Sequence, residues 1–361
     1  MGALATALIG NRLNLLLAAA PICWIVAAAR PGSPWIFITA AASIIPLAGI
    51  IGLGTDELAH RSGPAWGGFL NATFGNAAEL IIAVVALGQG HVALVKASIS
   101  GSIIGNLLIV LGLSFFVGGL GRRSQKFHRT AATNTTALLY LAVVALVMPA
   151  VFDLSLYGSL AARPPAIDRL SFWSSVILIV VYLGNLVYAF SVQRDLFRPT
   201  PQGEYLVRLT TRSAVVLLAA GTILTTIQAE ILVGALQPAL RAFGVSELFV
   251  GVIVIALVGN AAEHYAAIAA ARRDHMTLAV EIAVGSSAQI ALLVAPAIVL
   301  YSFAIGRPMS LLFNPFEIAA ITLSVLATVI VVFDGESNWV EGLQLMAVYL
   351  ILALAFYFVP G

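Results

Sequence analysis

Gly75-Asn76-Ala77-Ala78-Glu79 and Gly259-Asn260-Ala261-Ala262-Glu263 are the same pentapeptide, 184 positions apart (259 − 75). Each copy stands inside a long apolar run, where an ionised side chain is costly and a carboxylate is a functional candidate by default. Two such carboxylates in duplicated settings point to one site assembled from two halves of the chain. The same offset pairs His91 with His275, Gly101 with Gly285 and Ser102 with Ser286. A general bias toward Ala and Gly does not place polar residues at one fixed offset, so the chain is read as an internal duplication.

The 361 residues are 61% hydrophobic and only 9% charged, with a mean hydropathy of +1.03. A soluble domain carries about 25% charged residues. A chain this apolar is therefore a polytopic membrane protein. No basic run with interleaved aromatics suggests nucleic-acid binding. The single cysteine, Cys23, excludes an internal disulfide and a Cys-based metal site, and reads as a lipid- or core-facing residue.

Eleven segments are long and apolar enough to be read as spanning helices: 13–29, 35–54, 66–88, 93–119, 131–152, 170–192, 213–236, 247–271, 276–303, 316–333 and 339–359. The fold class is all-α. Residues 1–33 form an extra N-terminal helix, 34–193 the first repeat (helices 2–6), 194–212 a cytoplasmic linker and 213–361 the second repeat (helices 7–11). Five helices per half make the second copy enter the membrane in the opposite sense. The result is an inverted-topology repeat, with the site expected near the midplane where the halves meet. Arg12, the apolar stretch from Leu13 and Ala27-Ala28-Ala29 resemble a signal peptide, but the reading retains this segment as a helix. Of the Lys and Arg residues, twelve fall on the side of the N-terminus and six, Lys96 among them, on the other. The richer side is the cytoplasmic one, so the N-terminus is expected inside and the C-terminus outside.

Thr73, Asn76 and Glu79, spaced i, i+3, i+6, form a polar stripe on one helical face, and Asn260 and Glu263 repeat it. Gly75 and Gly259 allow the backbone to unwind or approach closely there. Ser98, Ser102 and Asn106 follow at i, i+4, i+8; Glu281, Gly285 and Gln289 share that spacing, with Ser286 beside them. Every donor in these stripes is an oxygen, which suits a hard cation such as Ca²⁺. Two carboxylates neutralise one divalent ion, and without it two close carboxylates in a low dielectric take up protons instead. The same pair can thus carry Ca²⁺ one way and H⁺ the other, provided that only neutralised states let the halves rock. Structural roles compete with this reading. Asn76 and Asn260 could join helices, Ser102, Ser286 and Gln289 could serve packing, and Glu281 could be interfacial. His264 points to another face than Glu263, and His91 and His275 read as loop residues. Glu230 lies in a polar break of a span, and Trp35, Trp339, Tyr349 and Tyr357 read as interfacial anchors.

The paired Gly-Asn-Ala-Ala-Glu resembles the signature of the cation/proton exchanger family within the cation/Ca²⁺ antiporter superfamily. The likeness extends to Gly52-Leu53-Gly54-Thr55-Asp56-Glu57-Leu58-Ala59 and Gly101-Ser102-Ile103-Ile104-Gly105-Asn106-Leu107-Leu108. In the second half it covers Ser246 through Val254, Gly259 through His264 and Gly285-Ser286-Ser287-Ala288-Gln289-Ile290. Sodium/calcium exchangers of the same superfamily typically carry Pro before the motif Glu, where this chain has Ala78 and Ala262. The resemblance implies eleven helices, Glu79 and Glu263 as ion ligands and proton carriers, and support from Asn76, Asn260, Ser102 and Gln289. It further implies that Asp56 or Glu57 and Glu230 flank the ion or proton route. Two departures stand out: the linker lacks the acidic stretch of many relatives, and Gly105 stands where many carry Ser.

The expectation is a Ca²⁺/H⁺ antiporter of the inner cell membrane, not an enzyme, which exports Ca²⁺ on the proton gradient. Glu79, Glu263, Asn76, Asn260, Ser102 and Gln289 would bind the metal. Glu230, Asp56, Glu57, Asn106, Ser286 and Glu281 would line the ion and proton pathway. Ca²⁺ and H⁺ are substrates and the lipid bilayer is the setting; no cofactor or nucleic acid enters, and homo-oligomerisation stays open. The alternatives are Na⁺-coupled Ca²⁺ exchange, H⁺ antiport of Na⁺, K⁺ or Mn²⁺, and a cation channel. A membrane metallohydrolase would need His-x-x-x-His or Asp-based metal motifs, and none is present.

Overall fold

Hydrocarbon offers no water to backbone N–H and C=O groups, so a chain this apolar must bond them to one another, and helices do so within each segment. The computed structural model describes residues 12–158, 165–191 and 209–359, and helices account for nearly all of them. Residues 194–208 of the expected linker and Arg163 lie outside the described residues.

A 3₁₀ turn, Arg12–Ala18, leads into α1 (Ala19–Ala29). Then follow α2 (Pro34–Phe74), α3 (Ala77–Gly88), α4 (Val92–Ile104), a π-helical turn (Gly105–Val110) and α5 (Leu111–Gly119). The strand β1 (Gln125–Lys126) precedes α6 (Arg129–Tyr157) and α7 (Pro165–Ser191). Past the linker come α8 (Thr211–Gly234), α9 (Leu236–Phe243), α10 (Glu247–Phe249), a second π-turn (Val250–Ile255) and α11 (Ala256–Gly259). The chain closes with α12 (Ala261–Arg272), α13 (Met276–Gln289), a third π-turn (Ile290–Val294), α14 (Ala295–Ala304), α15 (Pro315–Val332), β2 (Glu336–Ser337) and α16 (Trp339–Phe358). The two short strands pair antiparallel, Gln125 with Ser337 and Lys126 with Glu336.

Among the described residues, eight helices are long and apolar enough to cross a membrane, or nine if the sharply bent pair Leu236–Phe243 and Glu247–Gly259 counts as one span. Three of the eleven expected segments do not make an unbroken span. Leu13–Ala29 is short. Segments 66–88 and 247–271 are interrupted at the two pentapeptides, at Gly75-Asn76 and at Asn260. The shortfall therefore has a physical origin: the motif that marks the candidate site also breaks its helix. The first break is preceded by a sharp bend. In a straight helix residues 59 and 67 would be about 12 Å apart, yet a Cβ on Gly67 would meet the Ala59 carbonyl.

The described residues fall into two compact units, and each draws on both sequence repeats. One takes those within Met1–Gln89, Leu183–Gly244 and Val258–Ala262; the other those within Gly90–Tyr182, Val245–Leu257 and Glu263–Gly361. In the first unit α2 and α8 pack closely because both are small at the contact. A Cβ on Gly54 would come 2.9 Å from the Ala214 carbonyl, and one on Gly221 would come 2.9 Å from Ile51 Cγ1. In the second, Gly101 meets the Val252 backbone, Gly251 meets Ala97, and Gly112 faces Gly342. Helices in lipid associate through such small-residue contacts because lipid is as apolar as leucine.

The surface is correspondingly apolar. Ile177, Val180 and Val187 of α7, Leu326 and Ile330 of α15, and Leu350, Ile351 and Leu354 of α16 are exposed, as suits helices that face lipid rather than water. Of the expected anchors, Trp35, Trp339 and Tyr357 are exposed and Tyr349 is buried. Lys96, counted above with the charges of one membrane face, is instead buried in α4. Its Nζ donates to the Leu312 carbonyl at 2.7 Å and to Ser310 Oγ at 3.4 Å. Cys23 is buried and free of disulfide bonding.

Candidate ion-binding site

The duplication reaches beyond residue identity into backbone geometry. Adding 184 to the start of α3, α4 and α5 (77, 92 and 111) gives 261, 276 and 295, the starts of α12, α13 and α14. The π-turns Gly105–Val110 and Ile290–Val294 correspond under the same shift. Gly90 and Asp274, also 184 apart, both have positive φ, at 89° and 67°. Asp274 is the one described non-glycine residue with that backbone. Asp tolerates it at a cost of order 1 kcal/mol, here accompanied by a 2.5 Å bond from Gln125 Nε2 to its Oδ1.

Each motif acid sits in the first turn of a helix that begins inside an apolar run: Glu79 in α3, Glu263 in α12. The first N–H groups of such a helix lack intrahelical partners and its dipole is positive there, so both carboxylates stand where negative charge is favoured. Asn76 occupies the cap position of α3 without making the usual side-chain cap bond, so helix capping does not account for it.

In the first unit, both carboxylate oxygens of Glu79 are buried, and neither has a hydrogen-bond partner among the described residues. The side chain lies against the second pentapeptide: a Cβ on Gly259 would come 3.1 Å from Glu79 Cγ and 3.4 Å from its Oε1. A side chain at 259 would have to displace the Glu79 side chain by a few tenths of an ångström. Asn76 and Asn260 belong to this unit and are buried. Glu57 on α2 is buried there too, whereas its neighbour Asp56 is exposed.

In the second unit, Glu263 is held in a bonded chain. Asn106 Nδ2 donates to Ser286 Oγ at 3.1 Å, and Ser286 Oγ donates to Glu263 Oε2 at 2.6 Å. The latter distance is that of a charge-assisted O–H···O⁻ bond, about 2.5–2.7 Å. Asn106 comes from the π-turn after α4, and π-turns are frequent at functional positions because they redirect side chains. Ser102 is buried in α4, Gln289 is half-buried at the last residue of α13 just before its π-turn, and Glu281 is half-buried on α13. Among the described residues no group of three or more His, Cys, Asp or Glu side chains could hold a metal ion. A cation site built from the described residues would therefore mix carboxylates with neutral oxygens.

Glu230 does not join these groups. It is exposed on α8, whose buried face carries Gly221, Thr225, Gln228 and Leu232. Gln228 and Thr225 were not among the expected site residues; their spacing from Gly221 was the signal that could have placed them inward.

These features define an all-α polytopic membrane protein whose duplicated helices break at paired carboxylates. Residues 32–191 and 213–358 match the family described as sodium/calcium exchanger protein, and the chain belongs to that family. It is 41% identical over 348 residues to a Synechocystis protein named Ca²⁺/H⁺ antiporter, covering 91% of this chain and 92% of that one. It is 40% identical to the Ca²⁺/H⁺ antiporter ChaA of Bacillus subtilis, covering 96% of this chain and 99% of the other. The solved structure of native YfkE superposes with a TM-score of 0.83 at 38% identity, over 96% of this chain and all of that one.

Proposed function

We propose that this chain is a secondary transporter that exchanges Ca²⁺ for H⁺ and moves Ca²⁺ out of the cytosol on the inward proton gradient. The observation that carries the reading is the buried carboxylate of Glu79, unpartnered at the first turn of a broken helix, with a sequence-equivalent acid at Glu263. A buried carboxylate with no donor is costly in its bare ionised form. It is relieved by a cation or by a proton, and both routes are what an exchanger needs. The names of the relatives in Synechocystis and Bacillus subtilis favour Ca²⁺ and H⁺ as the pair.

In this reading Glu79 and Glu263 alternate between Ca²⁺ and protons, and only the neutralised states permit the change of access. Asn76, Asn260, Ser102 and Gln289 supply neutral oxygens to the cation. Ser286 and Asn106 hold Glu263 in one orientation, so its ligand geometry needs little reorganisation when Ca²⁺ arrives. Glu57 and Glu281, both withdrawn from the surface, line the approach. The exposed Asp56 and Glu230 act at most as outer charges that raise the local cation concentration. The protein works without a resident cofactor, in a cell membrane, with the N-terminus in the cytosol.

The test is Ca²⁺ uptake into liposomes with an acidic lumen, with luminal pH recorded at the same time. Uptake that needs the pH gradient and alkalinises the lumen supports the proposal. Uptake that follows internal Na⁺ and ignores pH overturns the assigned coupling ion.

A further inference from the structure

Within the first compact unit, Glu79 is not the only buried polar group without a partner. Gln228 on α8 is fully buried, and among the described residues neither its amide nitrogen nor its amide oxygen has a hydrogen-bond partner. Thr225, one turn earlier, is fully buried, and its hydroxyl likewise has none among them. A buried amide left unpaired is costly. Such groups in a native structure call for an explanation.

The direction of this face is fixed by packing. Gly221, Thr225, Gln228 and Leu232 recur at helical spacing and are all buried. Gly221 lies against Ile50 and Ile51 of α2. One residue earlier on α2, Gly49 faces Ala262 of the second pentapeptide, where an added Cβ would come 4.0 Å from the Ala262 Cβ. Gly259 of that pentapeptide lies against Glu79. Helix α8 also packs directly on α3, the helix that carries Glu79. The unpartnered side of α8 therefore turns into the same three-helix interior as the unpartnered carboxylate.

We propose that Gln228 and Thr225 are further ion ligands of the Glu79 half-site, giving the cation an amide carbonyl and a hydroxyl oxygen from α8. Ca²⁺ takes about 6–8 oxygens in forgiving geometry, so it can use neutral oxygens of this unit beyond those of Asn76 and Asn260. The amide also serves the other half of the cycle, since its N–H₂ can donate to Glu79 when the cation has left. The exposed Glu230 of the same helix takes no part in this shell. This inference rests on the cation-exchange reading above.

The test uses the full chain purified in detergent and in liposomes. Gln228→Met keeps length and removes the oxygen, Gln228→Glu keeps an oxygen, and Thr225→Val is isosteric. Two readouts are taken: the Ca²⁺ concentration that half-saturates thermal stabilisation, and that which half-saturates uptake. The Met variant is expected to raise both by about tenfold and Thr225→Val by about threefold, the scale of one neutral ligand lost. Gln228→Glu is expected to hold Ca²⁺ at least as tightly as the parent chain. Equal Ca²⁺ dependence in all three variants, each folded by size-exclusion profile, overturns the proposal. So does equal weakening by Met and Glu, which marks a packing role. If the parent chain binds Ca²⁺ with the expected variant pattern but its uptake ignores the proton gradient, the exchange reading fails while the ligand assignment stands.

Discussion

Glu79 and Glu263 hold the same place in the same pentapeptide and in the same turn of equivalent helices, yet their surroundings differ. Glu263 accepts a 2.6 Å bond from Ser286, itself bonded by Asn106. Glu79 has two buried oxygens with no hydrogen-bond partner among the described residues, and its side chain fills the space that a Cβ on Gly259 would need. Duplicated sequence has thus given duplicated backbone but not duplicated solvation. The physical lesson concerns where binding energy is released. A preorganised carboxylate offers a cation a ready ligand; an unsatisfied one is stabilised strongly by whatever neutralises it. Glu79 should therefore be the more sensitive switch between cation and proton, and Glu263 the more rigid anchor.

The largest expected effect comes from removing the switch. Glu79→Gln should abolish exchange, a loss of about 100-fold or more, because a neutral amide can be neither protonated nor charge-paired. Thermal unfolding followed by intrinsic fluorescence should show that variant at least as stable as Glu263→Gln, which exchanges a charge-assisted bond from Ser286 for a weaker neutral one. The reverse order of melting points would break the comparison.

Gly259→Val should come next. Its side chain would occupy the space that Glu79 Cγ fills at 3.1 Å from a Cβ, and overpacking of this kind costs about 1–3 kcal/mol. Exchange should fall by about tenfold or more in the liposome assay, with Gly285→Val, where the added Cβ meets open space, as the tolerant control.

Ser286→Ala sharpens the other side. Hydrogen bonds to charged groups contribute about 1.5–3 kcal/mol, so Ca²⁺ affinity measured by thermal shift should weaken about tenfold. Asn106→Leu, one bond further out, should weaken it by only a few-fold, about 1 kcal/mol. If Asn106→Leu were the more damaging, the order of the chain toward Glu263 would be wrong. Glu230→Gln should be the mildest, with uptake rates within about twofold of the parent chain, since exposed charges contribute little.

Much of this was readable before any coordinates. The fixed offset of 184 read from the residues recurs in the helix starts, and the glycine of each pentapeptide was read as a place where the backbone could unwind, next to the breaks at Gly75-Asn76 and Asn260. Helical spacing placed Glu79, Asn76, Asn106 and Ser286 among inward-facing groups because a long periodic run fixes which side is buried. The misses have equally local causes. Glu230 and Gln228 are two residues apart and so about 200° apart around α8, and a carboxylate drew attention that belonged to the amide. Asp56 and Glu57 are about 100° apart around α2, and only Glu57 turns inward. Lys96 looked like a flanking charge, but Ser310 and the Leu312 carbonyl, more than 200 residues away, let it be buried. The π-turns that place Asn106 and follow Gln289 were not read from the residues.

The most direct test of the account is a paired recording of Ca²⁺ uptake and proton release in proteoliposomes for the parent chain, Glu79→Gln and Glu263→Gln. Coupled fluxes in the parent chain, with both fluxes lost together in each variant, are the predicted result. A variant of either residue that still exchanged protons for Ca²⁺ would contradict the assignment of one exchange cycle to both acids.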